Sequence, residues 1–151
     1  MPKPVRLSAS LEDYMEAIYN IVHEKSKARS KDIAAALQVS GASVTEALRS
    51  LSEKGLINYT PYEAITLTRR GRRVAEDVVR RHNALKKFFI EVLGVPDEVA
   101  ETGACRVEHA APPDIIDRMI DFTDYLETCP EKSRKLIGEF LARANKTGSS
   151  A

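Results

Sequence analysis

The stretch that decides the fold lies at residues 28–54 and has the sequence ARSKDIAAALQVSGASVTEALRSLSEK. Apolar residues recur at helical spacing over residues 30–37 and again over about 41–54, and Gly55 ends the second repeat. Residues 38–41, Gln-Val-Ser-Gly, break the periodicity between the two segments. Two short helices joined by a tight turn are typical of a helix-turn-helix, although a pair of helices that only packs gives the same local pattern.

The flanking segments favour a winged helix. A helix is predicted before the stretch, at about 10–25, with Ser10 as its cap, and Ser30 is expected to cap the next helix. After the stretch, two short apolar runs at 56–59 and 64–67 predict the strands of a β-hairpin. A helix-turn-helix followed by a β-hairpin is the element order of a winged helix.

The rest of the chain is predicted to be helical. Thr68 caps a long helix that ends near residue 93, and further helices are expected at about 97–109, 112–127 and 131–144. The predicted fold class is mainly α: an N-terminal winged helix-turn-helix with a small β-hairpin, followed by an all-helical domain. The predicted parts are a loose arm at 1–7 within a winged-helix domain at 1–72, a helical domain at 73–145 and a tail at 146–151, with the long helix about 68–93 joining the domains.

The composition places the protein in a broad class. A chain of 151 residues suffices for one ordinary domain or two small ones, and 43% apolar with 30% charged residues is normal for a globular protein. No apolar run approaches the roughly 20 residues of a membrane span. The two cysteines give no disulfide framework, so a cytoplasmic protein without a membrane partner is predicted.

The charge distribution points to nucleic acid. Residues 1–95 contain 16 Lys/Arg and 11 Asp/Glu, whereas residues 96–151 contain 7 and 11, so the first part is basic and the second acidic. Small polar side chains at the start of the second short helix can approach a major groove closely, and nearby cations can neutralise phosphates. The predicted DNA contacts are Arg29, Lys31, Ser40, Ala42, Ser43, Thr45, Arg49, Arg69 and Arg70.

Residues 104–109, Ala-Cys-Arg-Val-Glu-His, contain a second candidate site. Within a helix, Cys105, Glu108 and His109 stand at i, i+3 and i+4, so their side chains project from one face. A thiolate, a carboxylate and an imidazole together are a ligand set for a first-row transition metal. From these residues alone, a half-buried Cys beside an exposed Glu and a helix-terminal His stays the alternative.

Five motifs follow one another along the chain: Leu11-Glu12-Asp13-Tyr14-Met15-Glu16-Ala17-Ile18-Tyr19, Ser43-Val44-Thr45, Leu67-Thr68-Arg69-Arg70-Gly71, Arg81-His82 and Ala104-Cys105-Arg106-Val107-Glu108-His109-Ala110. In this order they resemble the diphtheria toxin repressor family of metal-activated transcriptional repressors. The resemblance spans about residues 8–127. It implies a winged-helix domain followed by a helical metal-binding and dimerisation domain, and a homodimer that binds a double-stranded DNA operator.

The resemblance also implies a metal site drawn from both domains. Its ligands would be Asp13, Glu16, His82, Cys105, Glu108 and His109. The set is a hybrid, since Asp13 matches the manganese transport regulator branch and Cys105 matches the iron-dependent branch. Lys86 and Glu101 depart from the carboxylate and histidine of the iron branch's ancillary site. The implied cofactor is Fe(II) or Mn(II), with Fe(II) favoured by the thiolate and Zn(II) or Co(II) as ions that could bind in vitro.

The predicted function is therefore a metal-dependent repressor of metal-ion homeostasis, activated when Fe(II) or Mn(II) bridges the two domains. One alternative is a winged-helix regulator that responds to a non-metal ligand. Another is a metal-dependent hydrolase, since Cys, His and Glu can hold a catalytic zinc. The sequence contains no separate general base or substrate-binding motif, so neither an enzyme nor a small-molecule substrate is predicted. A purely structural metal is the third alternative.

Overall fold

The computed structural model describes residues 7–148. The predicted N-terminal arm, apart from Leu7, and the last three residues of the predicted tail lie outside this range. The described residues form seven helices and one two-stranded antiparallel sheet, which confirms the mainly helical class. None of these helices is both long enough and apolar enough to span a bilayer.

The elements follow the predicted order. They are α1 (Ala9–Lys25), α2 (Ser30–Leu37), α3 (Gly41–Glu53), β1 (Ile57–Asn58), β2 (Thr66–Leu67), α4 (Arg69–Glu91), α5 (Asp97–Ala110), α6 (Pro113–Thr128) and α7 (Pro130–Gly148). The chain divides into two compact units between Arg80 and Arg81, inside α4. The last helix runs four residues beyond the predicted 144, so the first part of the predicted tail is helical as far as Gly148.

The first unit is a winged helix with its own apolar core. Helices α1, α2 and α3 pack on one another, and the hairpin packs on α1 and α3. The larger side chains with no exposed surface at the centre of this core are Met15, Ile18, Ile33, Val44, Leu48, Leu51, Leu56 and Ile65. In the hairpin, Ile57 pairs with Leu67. Ala28 adds a further antiparallel bridge to Ile65, with N–H···O distances of 3.2 and 2.7 Å.

Two predicted helix caps are wrong. Ser8, not Ser10, precedes α1, and its hydroxyl accepts a hydrogen bond from the Leu11 amide at 3.2 Å. Ser30 is the first residue of α2, and Arg29 occupies the capping position without a side-chain hydrogen bond. The backbone is extended only as far as Arg29, whose carbonyl accepts the first hydrogen bonds of the helix, so α2 begins one residue earlier than a Ser30 cap would require.

The predicted cap of the long helix is confirmed. The Thr68 hydroxyl accepts a hydrogen bond from the Gly71 amide at 3.0 Å and donates one to the Gly55 carbonyl at 2.7 Å. One side chain therefore satisfies a free amide of α4 and also ties the helix to the end of the helix-turn-helix.

The second unit is built from the later part of α4 together with α5, α6 and α7. Its core centres on Leu85, Ala104 and Ile116, and α7 packs against α6. Large apolar side chains remain exposed on this unit, namely Leu93, Val99, Ile115, Phe122, Tyr125, Leu136 and Phe140. Exposed apolar surface of this extent is typical of a subunit interface.

Candidate metal centre

The face of α5 brings together three of the predicted metal ligands. Cys105 Sγ, a ring nitrogen of His109 and a carboxylate oxygen of Glu108 lie within 4.8 Å of one another. The grouping follows from helix geometry, since residues at i, i+3 and i+4 share one face. Glu108 is buried, whereas Cys105 and His109 are half-buried.

His82 of α4 contacts the same Glu108 carboxylate inside the second unit. Its Nδ1 lies 3.1 Å from Glu108 Oε2, and its Nε2 lies 2.8 Å from Glu101 Oε1. The imidazole is only 5% exposed, so both ring nitrogens are directed at protein groups rather than at solvent. The buried contact between His82 and Glu108 links α4 to α5, and the two residues are 26 positions apart in the sequence.

The Glu108 carboxylate fits a bound cation. Its Oε1 lies 3.1 Å from His109 Nε2, but the two groups are not oriented for a hydrogen bond. Among residues 7–148, Oε1 therefore has no hydrogen-bond partner. A buried carboxylate oxygen without a partner costs free energy that a cation would offset. Sulfur, nitrogen and oxygen donors converging on this oxygen suit a divalent transition metal.

An ion-pair network adjoins His82. Lys86 Nζ lies 3.0 Å from Glu101 Oε2 and 3.3 Å from Asp97 Oδ1. Partial burial raises the pKa of the Glu101 carboxyl, but the Lys86 hydrogen bond and the nearby His82 imidazole lower it by more, so it lies below its ordinary value. Hydrogen bonds to Glu101 and Asp97 raise the pKa of Lys86. Both Glu101 and Lys86 are therefore charged at neutral pH.

Helical spacing along α5 indicates that Glu101 lies beside the predicted ligands, which the departure from the family's ancillary site does not show. Glu101 stands four residues before Cys105 and seven before Glu108, so helical periodicity places it on the same face of α5. Its contact with His82 depends on how α4 packs on α5, which spacing along one helix does not give.

The two predicted ligands of the first unit, Asp13 and Glu16, stand one turn apart on α1. Both are half-buried, and the i, i+3 spacing directs them to one side of the helix. A third acidic residue, Glu12, lies in the first turn of α1. Their participation in metal binding stays a prediction.

The start of α3 presents short side chains to solvent. Ser40, Ala42 and Ser43 are exposed, and Arg49 is exposed two turns further along. The Ser40 hydroxyl caps α3 by accepting from the Ser43 amide at 3.2 Å, and the Thr45 hydroxyl donates to the Gly41 carbonyl at 3.0 Å. The Ser40 and Ser43 hydroxyls also share a hydrogen bond at 3.0 Å, whereas the Thr45 hydroxyl donates and can still accept a hydrogen bond from a ligand.

The predicted cationic contacts are also exposed. Arg29 and Lys31 lie at the start of α2, and Arg69 and Arg70 open α4 directly after the hairpin. Arg70 Nη1 is 3.5 Å from the carbonyl of Lys54, just past the end of α3. Sequence reasoning did not single out Tyr62, which is fully exposed in the hairpin turn at a φ of 68°.

Comparison with known proteins assigns both units to one family. Residues 6–65 match the iron dependent repressor N-terminal DNA binding domain, and residues 68–137 match the iron dependent repressor metal binding and dimerisation domain. An HTH-type transcriptional regulator MntR of Oceanobacillus iheyensis is 34% identical over 97% of this chain and 98% of its own length. An uncharacterised HTH-type transcriptional regulator of Methanocaldococcus jannaschii is 34% identical over 78% of this chain and 95% of its own.

Solved structures agree with this assignment. The T. acidophilum IdeR structure matches with a TM-score of 0.67 and 27% identity, and the match covers 80% of this chain and 56% of the IdeR chain. A manganese-dependent transcriptional repressor in complex with manganese has a TM-score of 0.65 and 32% identity, and covers 72% of this chain and 50% of its own. This chain thus spans about half the length of these two structures. It belongs to the iron-dependent repressor family, also called the diphtheria toxin repressor family, and is similar to the manganese transport regulator branch.

Proposed function

We propose that this protein is a homodimeric transcriptional repressor whose affinity for its DNA operator is raised by a divalent metal bound through Cys105, Glu108, His109 and His82. The observation that carries the proposal is the buried Glu108 carboxylate. One of its oxygens lacks a hydrogen-bond partner among the described residues, while two imidazoles lie within 3.1 Å of the carboxylate. A bound divalent cation would neutralise this carboxylate and orient the surrounding donors.

Asp13 and Glu16 complete the site under this proposal. They are supported by their shared side of α1 and by the resemblance to the manganese branch, and they are the only ligands contributed by the DNA-binding unit. When they engage the same ion as Cys105 and Glu108, the orientation of the winged helix becomes restricted before DNA is met. The entropy cost of ordering is then lower when the operator binds, which is positive coupling between metal and DNA.

Fe(II) and Mn(II) are the proposed signals, and the repressed genes are those of metal-ion homeostasis. The carboxylates and imidazoles suit either ion, while the Cys105 thiolate favours Fe(II), Zn(II) or Co(II). Similar structures are described as complexes with manganese, Zn²⁺ and Cd²⁺, so related proteins accept several divalent ions. A repressor of this kind acts where its operator lies, so the proposal includes a cytoplasmic location. The proposed function involves no catalytic turnover.

Fluorescence anisotropy on duplex DNA from the gene's own upstream region tests the proposal. Chelated protein is titrated alone and then with Mn(II), Fe(II) or Zn(II) under anaerobic conditions, at one fixed salt concentration. We expect one of these ions to tighten binding at least about tenfold, which is about 1.4 kcal/mol of coupling. Equal binding in chelator and in every ion would show that the regulator responds to a different ligand, and hydrolytic turnover by the loaded protein would indicate an enzyme.

Cys105→Ala is expected to weaken Mn(II) and Fe(II) binding and to reduce metal activation of DNA binding at least about tenfold, because one donor of the cluster is lost. The matched control is Cys129→Ala, since Cys129 is an exposed thiol at the end of α6. Both variants should remain folded dimers by sedimentation. Unchanged metal activation in Cys105→Ala would remove the thiolate from the proposed site.

Arg69→Ala combined with Arg70→Ala is expected to weaken binding to specific and unrelated duplexes alike. The slope of log affinity against log salt should become shallower by about 1 for each arginine that contacts a phosphate. Arg143→Ala, an exposed arginine of α7, serves as the control. An unchanged salt dependence in the double variant would exclude these two arginines from the DNA interface.

A further inference from the structure

The His82 ring is held from two opposite sides by carboxylates. Glu108 Oε2 lies 3.1 Å from Nδ1, and the same Glu108 carboxylate belongs to the group of donors that contains Cys105 and His109. Glu101 Oε1 lies 2.8 Å from Nε2, on the side of the Lys86 ion pair. One nitrogen of this imidazole therefore belongs to the proposed metal cluster and the other to a charged network outside it.

A neutral imidazole can bind a metal through only one nitrogen while the other nitrogen carries the proton. A carboxylate that accepts this second N–H fixes the tautomer and the ring orientation, and makes the metal-binding nitrogen more basic. When Nδ1 binds the metal, the single ring N–H is left on Nε2. Glu101 Oε1 is correctly placed to accept it.

We propose that Glu101 is a positioning residue that holds His82 in its Nε2–H tautomer and so presents Nδ1 to the metal. The inference rests on the proposed metal site and deepens it by naming a residue that acts through a ligand without binding the ion. Glu101 lies on α5 and His82 on α4, so this contact also fixes the two ligand-bearing helices against each other at the level of the site.

Lys86 explains how a half-exposed carboxylate can position a buried ring. The Glu101 side chain is 51% exposed and would sample several rotamers on its own, whereas Lys86 Nζ holds its second oxygen at 3.0 Å. Asp97 holds the same ammonium at 3.3 Å. The ammonium also places a fixed positive charge beside the Nε2 side of His82, which opposes binding of a second cation there. His82 therefore serves one metal ion only.

The test compares Glu101→Ala with Glu101→Gln and with the control Glu98→Ala. Glu98 is exposed and stands on the same helix, one turn earlier. Mn(II) affinity, measured by calorimetric titration, is expected to fall by about 10- to 100-fold in Glu101→Ala. Glu101→Gln should recover most of this loss, because its amide oxygen can still accept from Nε2–H. Glu98→Ala should bind like the wild type.

Nuclear magnetic resonance of the diamagnetic Zn(II)-loaded wild type gives a second readout that needs no variant. Two-bond ¹⁵N–¹H spectra should show the His82 ring proton on Nε2, in contact with a carboxylate, and one Zn(II) bound by this ring. A proton on Nδ1, or Nε2 bound to Zn(II), would overturn the proposal.

Including Glu108→Gln in the same titrations separates the two levels of inference. If Glu108→Gln loses Mn(II) affinity while Glu101→Ala keeps it, the metal site stands and the positioning role of Glu101 is overturned. If Glu108→Gln binds Mn(II) as tightly as the wild type, the proposed site itself fails. Loss in both Glu108→Gln and Glu101→Ala, with recovery in Glu101→Gln, supports both.

Discussion

Glu108→Gln is expected to lower the affinity of the protein for Mn(II) by at least about 100-fold, more than the loss of an outer hydrogen-bond partner would cause. The carboxylate is 3% exposed and lies within 3.1 Å of both His82 and His109. Glutamine keeps the shape of the side chain but removes the negative charge that attracts the cation. Calorimetric titration of the chelated protein with Mn(II) measures the change.

The same substitution should not destabilise the metal-free protein. In the wild type, the buried Glu108 carboxylate has one oxygen without a hydrogen-bond partner in the described part of the chain, which disfavours the folded state. A neutral amide of the same shape removes the cost of burying this negative charge. Urea unfolding of the chelated proteins is therefore expected to give Glu108→Gln a free energy of unfolding equal to or above that of the wild type.

Bound metal should make the wild type more stable to unfolding than Glu108→Gln. An ion present at about 1,000 times its dissociation constant raises the free energy of unfolding of the wild type by about 4 kcal/mol, and the variant should gain far less. Glu98→Gln, which changes an exposed acid of the same helix, controls for the general effect of removing a charge. A loss of more than about 1 kcal/mol by metal-free Glu108→Gln would instead identify Glu108 as a structural partner of His82.

Gly71→Ala is expected to be the most destabilising substitution in the winged helix. A Cβ atom at Gly71 would lie 1.7 Å from the Leu56 carbonyl oxygen and 2.7 Å from its carbonyl carbon. The obstructing atoms are backbone atoms directly before β1, so no side-chain rotation can relieve the clash. We expect a loss of about 3 kcal/mol or more, at the upper end for overpacking, and with it the loss of specific DNA binding.

Gly138→Ala is the matched control, because it is also a helical glycine but has no atom within 4 Å of the added Cβ. Alanine should stabilise α7 there by up to about 1 kcal/mol through helix propensity. Thermal unfolding followed by circular dichroism compares the two variants. Equal melting temperatures would show that α4 does not approach the Leu56 backbone as closely as the structure has it.

Local patterns predicted most of the fold. The order of the helices follows from apolar periodicity, and the Thr68 cap follows from a threonine standing directly before a helical pattern. Both hairpin strands are shorter than predicted, two residues instead of four. The sequence could not reveal the bridge between Ala28 and Ile65, which pairs residues 37 positions apart.

Local sequence patterns likewise predict one part of the candidate site and not the other. The shared face of Cys105, Glu108 and His109 is a property of one helix, and spacing alone predicted it. The contact of His82 with Glu108 depends on the packing of α4 against α5, so only the family resemblance could imply it. The role of Glu101 needs a further step, since it depends on Lys86 and His82 standing one turn apart on α4 and facing the same position of α5.

The short side chains at the start of α3 have a consequence for how the protein's targets can change over time. Ser40, Ala42 and Ser43 have short side chains, so under the proposed DNA contacts we expect few direct hydrogen bonds to base edges from these positions, with discrimination drawing on bridging water and on the shape of the duplex. Such a surface tolerates scattered base changes in an operator. It also leaves room for a longer side chain at Ala42, so one substitution could narrow the set of genes under control without disturbing the helix that presents it.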